Sequence, residues 1–401
     1  MSFLPEYDNN ILIDALGPIR TPFSISDKYL YLPPVPVDTS ALPFHVRVHA
    51  LYSLVKMFVP SHENVRIATT IDLMLRQGYI SRNPAEPKSW HHVYADPKSE
   101  SLIQIPTLAS SVTGISGVGK SSSIERALHS YQQVVTHARY PNLIGSHKQL
   151  VWLKADISDD GGGKALALDL MRQTDEVLGT GYFSGYTHAT ANGTILLSQW
   201  RRIALLHGLG ILVLDEIDNL FKIPTVEERR RNRSKNVIRI IEDQTLKWLI
   251  SLSNTYGIPV MYSGTQEAIR MFGSRFATAQ RSTFLGLHEI QHFESPNDPQ
   301  YAEQLFPLLC EYQWLDEKMP PTDELRCLLH DLSGGVMRIM LSLWSLAQRH
   351  ALERGARCMC FSDLQHVMAT SLQNLNNAIS ALKSNDPDRL ARYTDLMRNI
   401  D

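Results

Sequence analysis

Between Gly114 and Ser121 the chain reads Gly-Ile-Ser-Gly-Val-Gly-Lys-Ser. Backbone without Cβ can curl so that successive N–H groups converge on one point, and a point lined by such donors attracts phosphate oxygens. Lys120 adds a positive charge and the Ser121 hydroxyl a hard oxygen suited to Mg²⁺. Gly114, Ser116, Gly117, Val118, Gly119, Lys120, Ser121 and Ser122 are therefore the candidate phosphate-binding residues. A short apolar stretch, Ser110 to Thr113, precedes them and a helically spaced run, Ser121 to Tyr131, follows, the strand, loop and helix order such a loop requires.

Further along, the apolar run Ile211-Leu-Val-Leu214 ends in Asp215-Glu216. Hydrolysing a phosphoanhydride requires holding the phosphates, neutralising charge and aiming a water. At the carboxyl end of a buried strand, Asp215 is placed to join Ser121 in holding the Mg²⁺ shell, and Glu216 to orient the attacking water or accept its proton; a helix cap or solvated turn is the plainer alternative for such a pair. Asp218 is expected to orient a neighbour. Thr265, in Ser263-Gly-Thr-Gln266, follows a further apolar run and could hydrogen-bond the water or the γ-phosphate, or simply form a turn. Arg338, in Gly334-Gly-Val-Met-Arg338, lies one turn into a helix, where it could reach the γ-phosphate of nucleotide held between domains or make a surface salt bridge. Arg275 and Arg281 are candidates for an arginine delivered to a neighbouring subunit's nucleotide.

Two segments could meet DNA. Arg229, Arg230, Arg231, Arg233 and Lys235 form a dense basic run, balanced in part by Glu227 and Glu228. The stretch from Asp156 to Thr190, with Lys164, Thr180 and Tyr182, carries glycines, hydroxyls and aromatics that can approach a phosphate backbone without reading bases.

The elements that must position these residues read as α/β. Strand candidates at Ser110–Thr113, Leu150–Ala155, Ile211–Leu214, Ile258–Ser263 and Phe284–His288 alternate with helical stretches, the pattern of a buried parallel sheet with helices on both faces. The clearest helix is expected from Lys235 to Ser253, with Ile238, Ile241, Thr245, Trp248, Leu249 and Leu252 on one stripe. The organisation expected is an N-terminal arm and small helical module over 1–104, a nucleotide-binding domain over 105–295, a helical domain over 296–382 and a tail over 383–401. Within the first part, the Pro-rich and aromatic segment to about residue 45 reads as extended, without a core of its own. Beyond it, Val46, His49, Ala50, Leu54 and Met57 mark one helix face and Ile71, Leu73, Met74, Leu75 and Tyr79 another.

With 401 residues, two or three domains are expected. A net charge of −2 excludes a generally basic DNA-coating protein, so any nucleic-acid contact must be local. The N-terminus lacks a signal-peptide pattern and no apolar run reaches about eighteen residues, which reads as cytoplasmic with no membrane partner. Four cysteines are too few and too clustered for a disulfide framework, and Cys358-Met-Cys360 reads as part of a reduced strand rather than a metal pair.

The ordered set Gly114 to Ser121, Leu214-Asp-Glu216, Ser263-Gly-Thr265, Ser274-Arg-Phe276 and Gly335-Val-Met-Arg338 resembles the AAA+ ATPases. Within them, Ser263-Gly-Thr-Gln-Glu-Ala268, Ser274-Arg-Phe276 and the upstream Leu75-Arg-Gln-Gly-Tyr-Ile-Ser-Arg-Asn-Pro84 resemble the TnsC and TniB transposition regulators, including those of CRISPR-associated transposons. The likeness covers about residues 105 to 382. It implies an AAA+ sheet with a C-terminal helical lid, ATP and Mg²⁺ as cofactors, and a homo-oligomeric ring or filament on duplex DNA. It further implies recruitment by a TniQ- or TnsD-like target-selection protein, recruitment in turn of a transposase, and disassembly on hydrolysis. By position it implies nucleotide and metal binding for Lys120 and Ser121, hydrolysis for Asp215 and Glu216, γ-phosphate sensing for Thr265 and Arg338, an inter-subunit reach for Arg275, and a DNA-facing place for the insertion from Asp156 to Thr190. Other initiator-type ATPases share the sensing motifs, and a nucleotide-switched adaptor that hardly hydrolyses ATP is the alternative from another class.

Overall fold

The computed structural model describes residues 4–94, 108–158, 162–186, 192–222, 239–240, 243–272 and 284–384. Helices α1 (Ile11–Asp14), α2 (Pro22–Tyr29), α3 (Phe44–Leu51), α4 (His62–Ile80) and α5 (Pro87–Tyr94) come first. Strand β1 (Ala109–Thr113), α6 (Lys120–Leu128), β2 (Val134–His137), β3 (His147–Leu150), β4 (Trp152–Asp156), α7 (Gly163–Leu178) and α8 (Gly193–Leu206) follow. Then come β5 (Ile211–Asp215), β6 (Phe221–Lys222), β7 (Arg239–Ile240), α9 (Asp243–Tyr256), β8 (Val260–Gly264), α10 (Gln266–Phe272) and β9 (Leu287–Glu289). The last described helices are α11 (Phe306–Glu311), α12 (Asp323–Ser333), α13 (Met337–Glu353), α14 (Phe361–Ala369) and α15 (Asn376–Lys383). Among the described residues no helix is long and apolar enough to cross a membrane.

The chain divides into two compact units. The first takes in Met1–Thr21, Arg66–Thr113 and Lys120–Glu289; the second Pro22–Val65, Gly114–Gly119 and Ile290–Asp401.

The first unit is built on a parallel sheet of order β4-β5-β8-β1-β9. Its central strands are buried throughout, as in Ile211-Leu-Val-Leu-Asp215, because helices cover both faces. Leu166, Leu170, Leu196, Trp200, Trp248, Leu249 and Leu252 pack against them. The fold class read from the sequence is thus present. Three details differ. Residues 147–156 form two strands, since β3 turns away at Val151 to pair antiparallel with β2, while β4 enters the parallel sheet. The helix expected from Lys235 begins at Asp243, because Arg239–Ile240 pair with Phe221–Lys222 as a short ladder; residues 235–238 and 241–242 lie outside the described residues. On α4 the buried stripe is Ile67, Ile71, Met74, Leu75 and Tyr79, and Leu73 faces solvent at 41 % exposure.

The first described residues, from Leu4 to Tyr29, are not an extended arm. Asn10 caps α1 by accepting from Leu12 N at 3.1 Å, and its Nδ2 donates to Tyr79 O at 2.8 Å, so α1 is pinned to α4. Leu12, Ile13 and Leu16 are buried.

In the second unit α12, α13 and α14 pack around Leu325, Leu329, Met340, Leu343, Trp344 and Leu364. The segment Pro22–Val65 belongs to this core, contributing Leu51, Leu54, Met57 and Val59. Polar ties fix it there: Thr39 donates to Leu315 O at 2.7 Å, Tyr312 donates to Pro33 O at 2.6 Å, and Arg47 pairs with Asp316 at 2.8 Å. Thr322 caps α12, accepting from Leu325 N at 3.2 Å. The expected cysteine strand is absent: Cys360 is instead the N-cap of α14 in a box with Asp363, and all four cysteines are free thiols.

Candidate functional site

The candidate cluster of the sheet unit lies at the carboxyl ends of β5 and β8. Ser121 stands in the first turn of α6, and Asp215 closes β5 at 3 % exposure. Burial alone raises the Asp215 pKa. The Ser263 and Ser121 hydroxyls, the Lys154 ammonium and the Glu216 N–H outweigh it and hold the carboxyl below its ordinary range, so the group is an anion. The Glu216 N–H donates to Asp215 Oδ1 at 3.1 Å, and Lys154 Nζ stands 3.4 Å from Oδ2. Ser263, fully buried on β8, acts on Asp215 by proximity, since its hydroxyl makes no hydrogen bond of ordinary geometry. Lys154 carries no motif, and only the register of β4 on β5 reveals its place.

This donor set fits a magnesium nucleotide. Mg²⁺ takes hard oxygens, keeps several waters and uses only one or two protein groups besides phosphate. Ser121 and Asp215 supply one hydroxyl and one carboxylate, and the orphaned Ser263 hydroxyl can serve a coordinated water.

Glu216 is exposed and has φ +55°, a left-handed conformation that glutamate rarely takes. The short 3₁₀ turn Ile217–Leu220 behind it opens with Asn219 N donating to Glu216 O at 3.0 Å. Asp218, buried at 4 % exposure, accepts from Thr265 N at 3.0 Å and from the Thr265 hydroxyl. Thr265 Oγ1 accepts in turn from Ala268 N at 3.3 Å and caps α10. Asp218 therefore orients a neighbour, as expected, and that neighbour is the proposed sensor.

In the helical unit, Gly114, Gly117 and Gly119 have positive φ. At Gly117, φ is +87°, so the conformation favours glycine, and an added Cβ would stand 3.2 Å from Val336 Cγ1 and 3.3 Å from Arg338 Cβ, a tight fit. Arg338 N donates to Gly117 O at 3.2 Å. Its side chain is exposed and makes no ion pair with another described residue.

The structure brings together Ser121, Asp215 and Glu216, with Asp218 and Thr265 joined to each other nearby on the same strand ends. It groups Gly114, Ser116, Gly117, Val118 and Gly119 with Arg338. Arg275, Arg281, Arg229, Arg230, Arg231, Arg233 and Lys235 lie outside the described residues. Of the other DNA candidates, Lys164 is exposed in the first turn of α7. Asp175 accepts the Thr180 hydroxyl at 2.8 Å and the Tyr182 N–H at 2.9 Å, while the Tyr182 hydroxyl meets His207 Nε2 at 3.1 Å. Those two hydroxyls are engaged internally.

Residues 107–272 match the family model described as AAA domain. No curated protein matches the chain. Among solved structures, the Aeropyrum pernix Orc1 protein in complex with DNA is similar at 13 % identity and a TM-score of 0.46, over 82 % of this chain and 71 % of that one. Drosophila ORC bound to DNA is similar at 12 % identity and 0.45, over 90 % and 72 %. The Thermotoga maritima RuvB Holliday junction branch migration motor is similar at 11 % identity and 0.37, over 70 % and 65 %.

Proposed function

We propose that this chain binds and hydrolyses ATP with Mg²⁺ and works as a transposition regulator of the TnsC and TniB kind, oligomerising on duplex DNA. The observation that carries the ATPase reading is the convergence of Ser121 and an ionised, buried Asp215 beside Glu216. The glycine-rich turn and Lys120 bind the phosphates, and Ser121 and Asp215 hold the metal. Mg²⁺ supplies charge neutralisation for the phosphate oxygens when bound. Glu216 orients the attacking water and takes its proton as the bond from Pγ to the bridging oxygen breaks. Thr265, held by Asp218, and Arg338 sense the γ-phosphate, and Arg275 reaches a neighbouring subunit's nucleotide.

The transposition reading rests on the motif set Ser263-Gly-Thr-Gln-Glu-Ala268, Ser274-Arg-Phe276 and the upstream Leu75-Arg-Gln-Gly-Tyr-Ile-Ser-Arg-Asn-Pro84. Under it, a target-selection protein loads the ATP-bound oligomer, a transposase is recruited to it, and hydrolysis dismantles it. With a net charge of −2, DNA contact falls to local groups such as Lys164 and the arginines of 229–233, and it is phosphate-dominated.

The test is filter retention and electron microscopy on duplex DNA with ATP, a non-hydrolysable analogue, ADP or no nucleotide, across a salt series. The expected result is rings or filaments with ATP or the analogue, weakening steeply with salt and indifferent to sequence. A nucleotide-bound monomer that ignores DNA would leave the ATPase and overturn the rest in favour of a nucleotide-switched adaptor.

A further inference from the structure

Lys154 sits in the middle of β4, where the parallel register sets Lys154 beside Val213 and Asp156 beside Asp215. Residues two apart on a strand share a face, so Lys154, Asp156, Val213 and Asp215 share one side of the sheet. Its ammonium lies 2.9 Å from Asp156 Oδ1, 3.2 Å from Glu125 Oε1 and 3.4 Å from Asp215 Oδ2. The Lys154 side chain is 16 % exposed and that of Asp215 5 %, whereas Asp156 and Glu125 are 66 % and 49 % exposed. One cation is thus shared between a buried carboxylate and two solvated ones.

A buried carboxylate without a counter-charge is costly, and the carboxylate concerned here is the one assigned to the metal. We propose that Lys154 is a resident counter-ion of the metal site: it neutralises Asp215 in the metal-free protein and withdraws onto Asp156 and Glu125 when Mg²⁺ with nucleotide binds. The inference rests on the nucleotide-site reading above. The two exposed carboxylates give the withdrawn ammonium a place to go, and its four-carbon stem makes the move short and reversible. Metal binding must therefore displace a charge already present, which weakens it and protects Asp215 when metal is absent.

The test uses Lys154→Met, which keeps most of the stem and removes the charge, with melting temperature read in EDTA and in a Mg²⁺ titration at fixed ADP. In EDTA the variant melts below the wild type. With saturating Mg²⁺ and ADP at least half of that gap closes, and the Mg²⁺ concentration for half-maximal stabilisation falls by roughly three- to tenfold, since a nearby charge is removed from competition. Asp156→Asn, at an exposed position that folding tolerates, removes one docking partner and moves the Mg²⁺ midpoint the opposite way, so the proposal stays testable if Lys154→Met does not fold. An equal melting deficit with and without Mg²⁺ and ADP, or unchanged midpoints in both variants, overturns the proposal while the nucleotide reading stands. A wild-type protein whose melting ignores Mg²⁺ and ADP overturns both.

Discussion

The Asp218 carboxylate holds Thr265 at two points, through the backbone N–H 3.0 Å from Oδ2 and through the side-chain hydroxyl. Because Thr265 Oγ1 also receives the Ala268 N–H, the hydroxyl has a fixed direction in which its proton points at Asp218. The Thr265 hydroxyl is thus aimed by a buried acid three residues past Asp215, the carboxylate proposed above to hold the metal.

Asp218→Asn replaces an acceptor of several donors with a group that must itself donate from one side. Leaving one buried donor unmet costs about 1–3 kcal/mol, which urea unfolding would register. If Thr265 acts on the transition state, kcat should fall with KM little changed. A variant that loses stability but keeps kcat would restrict Asp218 to a structural role and remove the case for Thr265 as a sensor.

Glu216 stores backbone strain at φ +55°. Glycine is at ease there and alanine is not, so Glu216→Gly should be more stable than Glu216→Ala by about 1 kcal/mol, the reverse of the usual order at an ordinary position. Neither should hydrolyse ATP. Glu216→Gln, which keeps the shape and loses the base, should bind ATP yet hold the DNA-bound oligomer intact. Turnover equal to wild type in Glu216→Gln would remove Glu216 from the chemistry.

How much of this could be read in the chain depends on how local each signal is. The glycine-rich turn and the apolar strand ending in Asp215 are contiguous patterns, and the sheet and its helices follow from alternating apolar runs. Lys154 could not be found that way, because a lysine inside Trp152-Leu-Lys-Ala155 has meaning only once β4 lies beside β5. The same holds for the pinning of Asn10 to Tyr79, a contact across 69 residues. Leu150 reads as the start of the strand that runs to Ala155, yet its pairing with Val134 places it at the end of a hairpin strand instead, and the polar His147-Lys-Gln149 before it gives no strand signal. The proline-rich start looked extended because prolines mask the few apolar residues, such as Ile25 and Tyr29, that the core takes in.

Asp363 makes a second, independent charge test in the helical unit. Burial raises its pKa, but the Arg354 guanidinium, with Nε and one terminal nitrogen at 2.9 and 2.8 Å, and the Cys360 N–H at 2.9 Å outweigh that, so the folded-state pKa lies below the usual value. A depressed carboxyl adds stability above its unfolded pKa of about 3.9 and loses it as pH falls through the folded value. The stability gap between wild type and Asp363→Asn should accordingly be full at about pH 6 and shrink as pH drops below about 4, followed by urea midpoints at each pH. Arg354 is 42 % exposed, so added salt should narrow the gap at the higher pH without closing it, because the Cys360 N–H bond is shielded from screening. A gap that stays constant from about pH 6 to about pH 3 would mean that the carboxyl caps α14 by shape alone and that its charge contributes nothing.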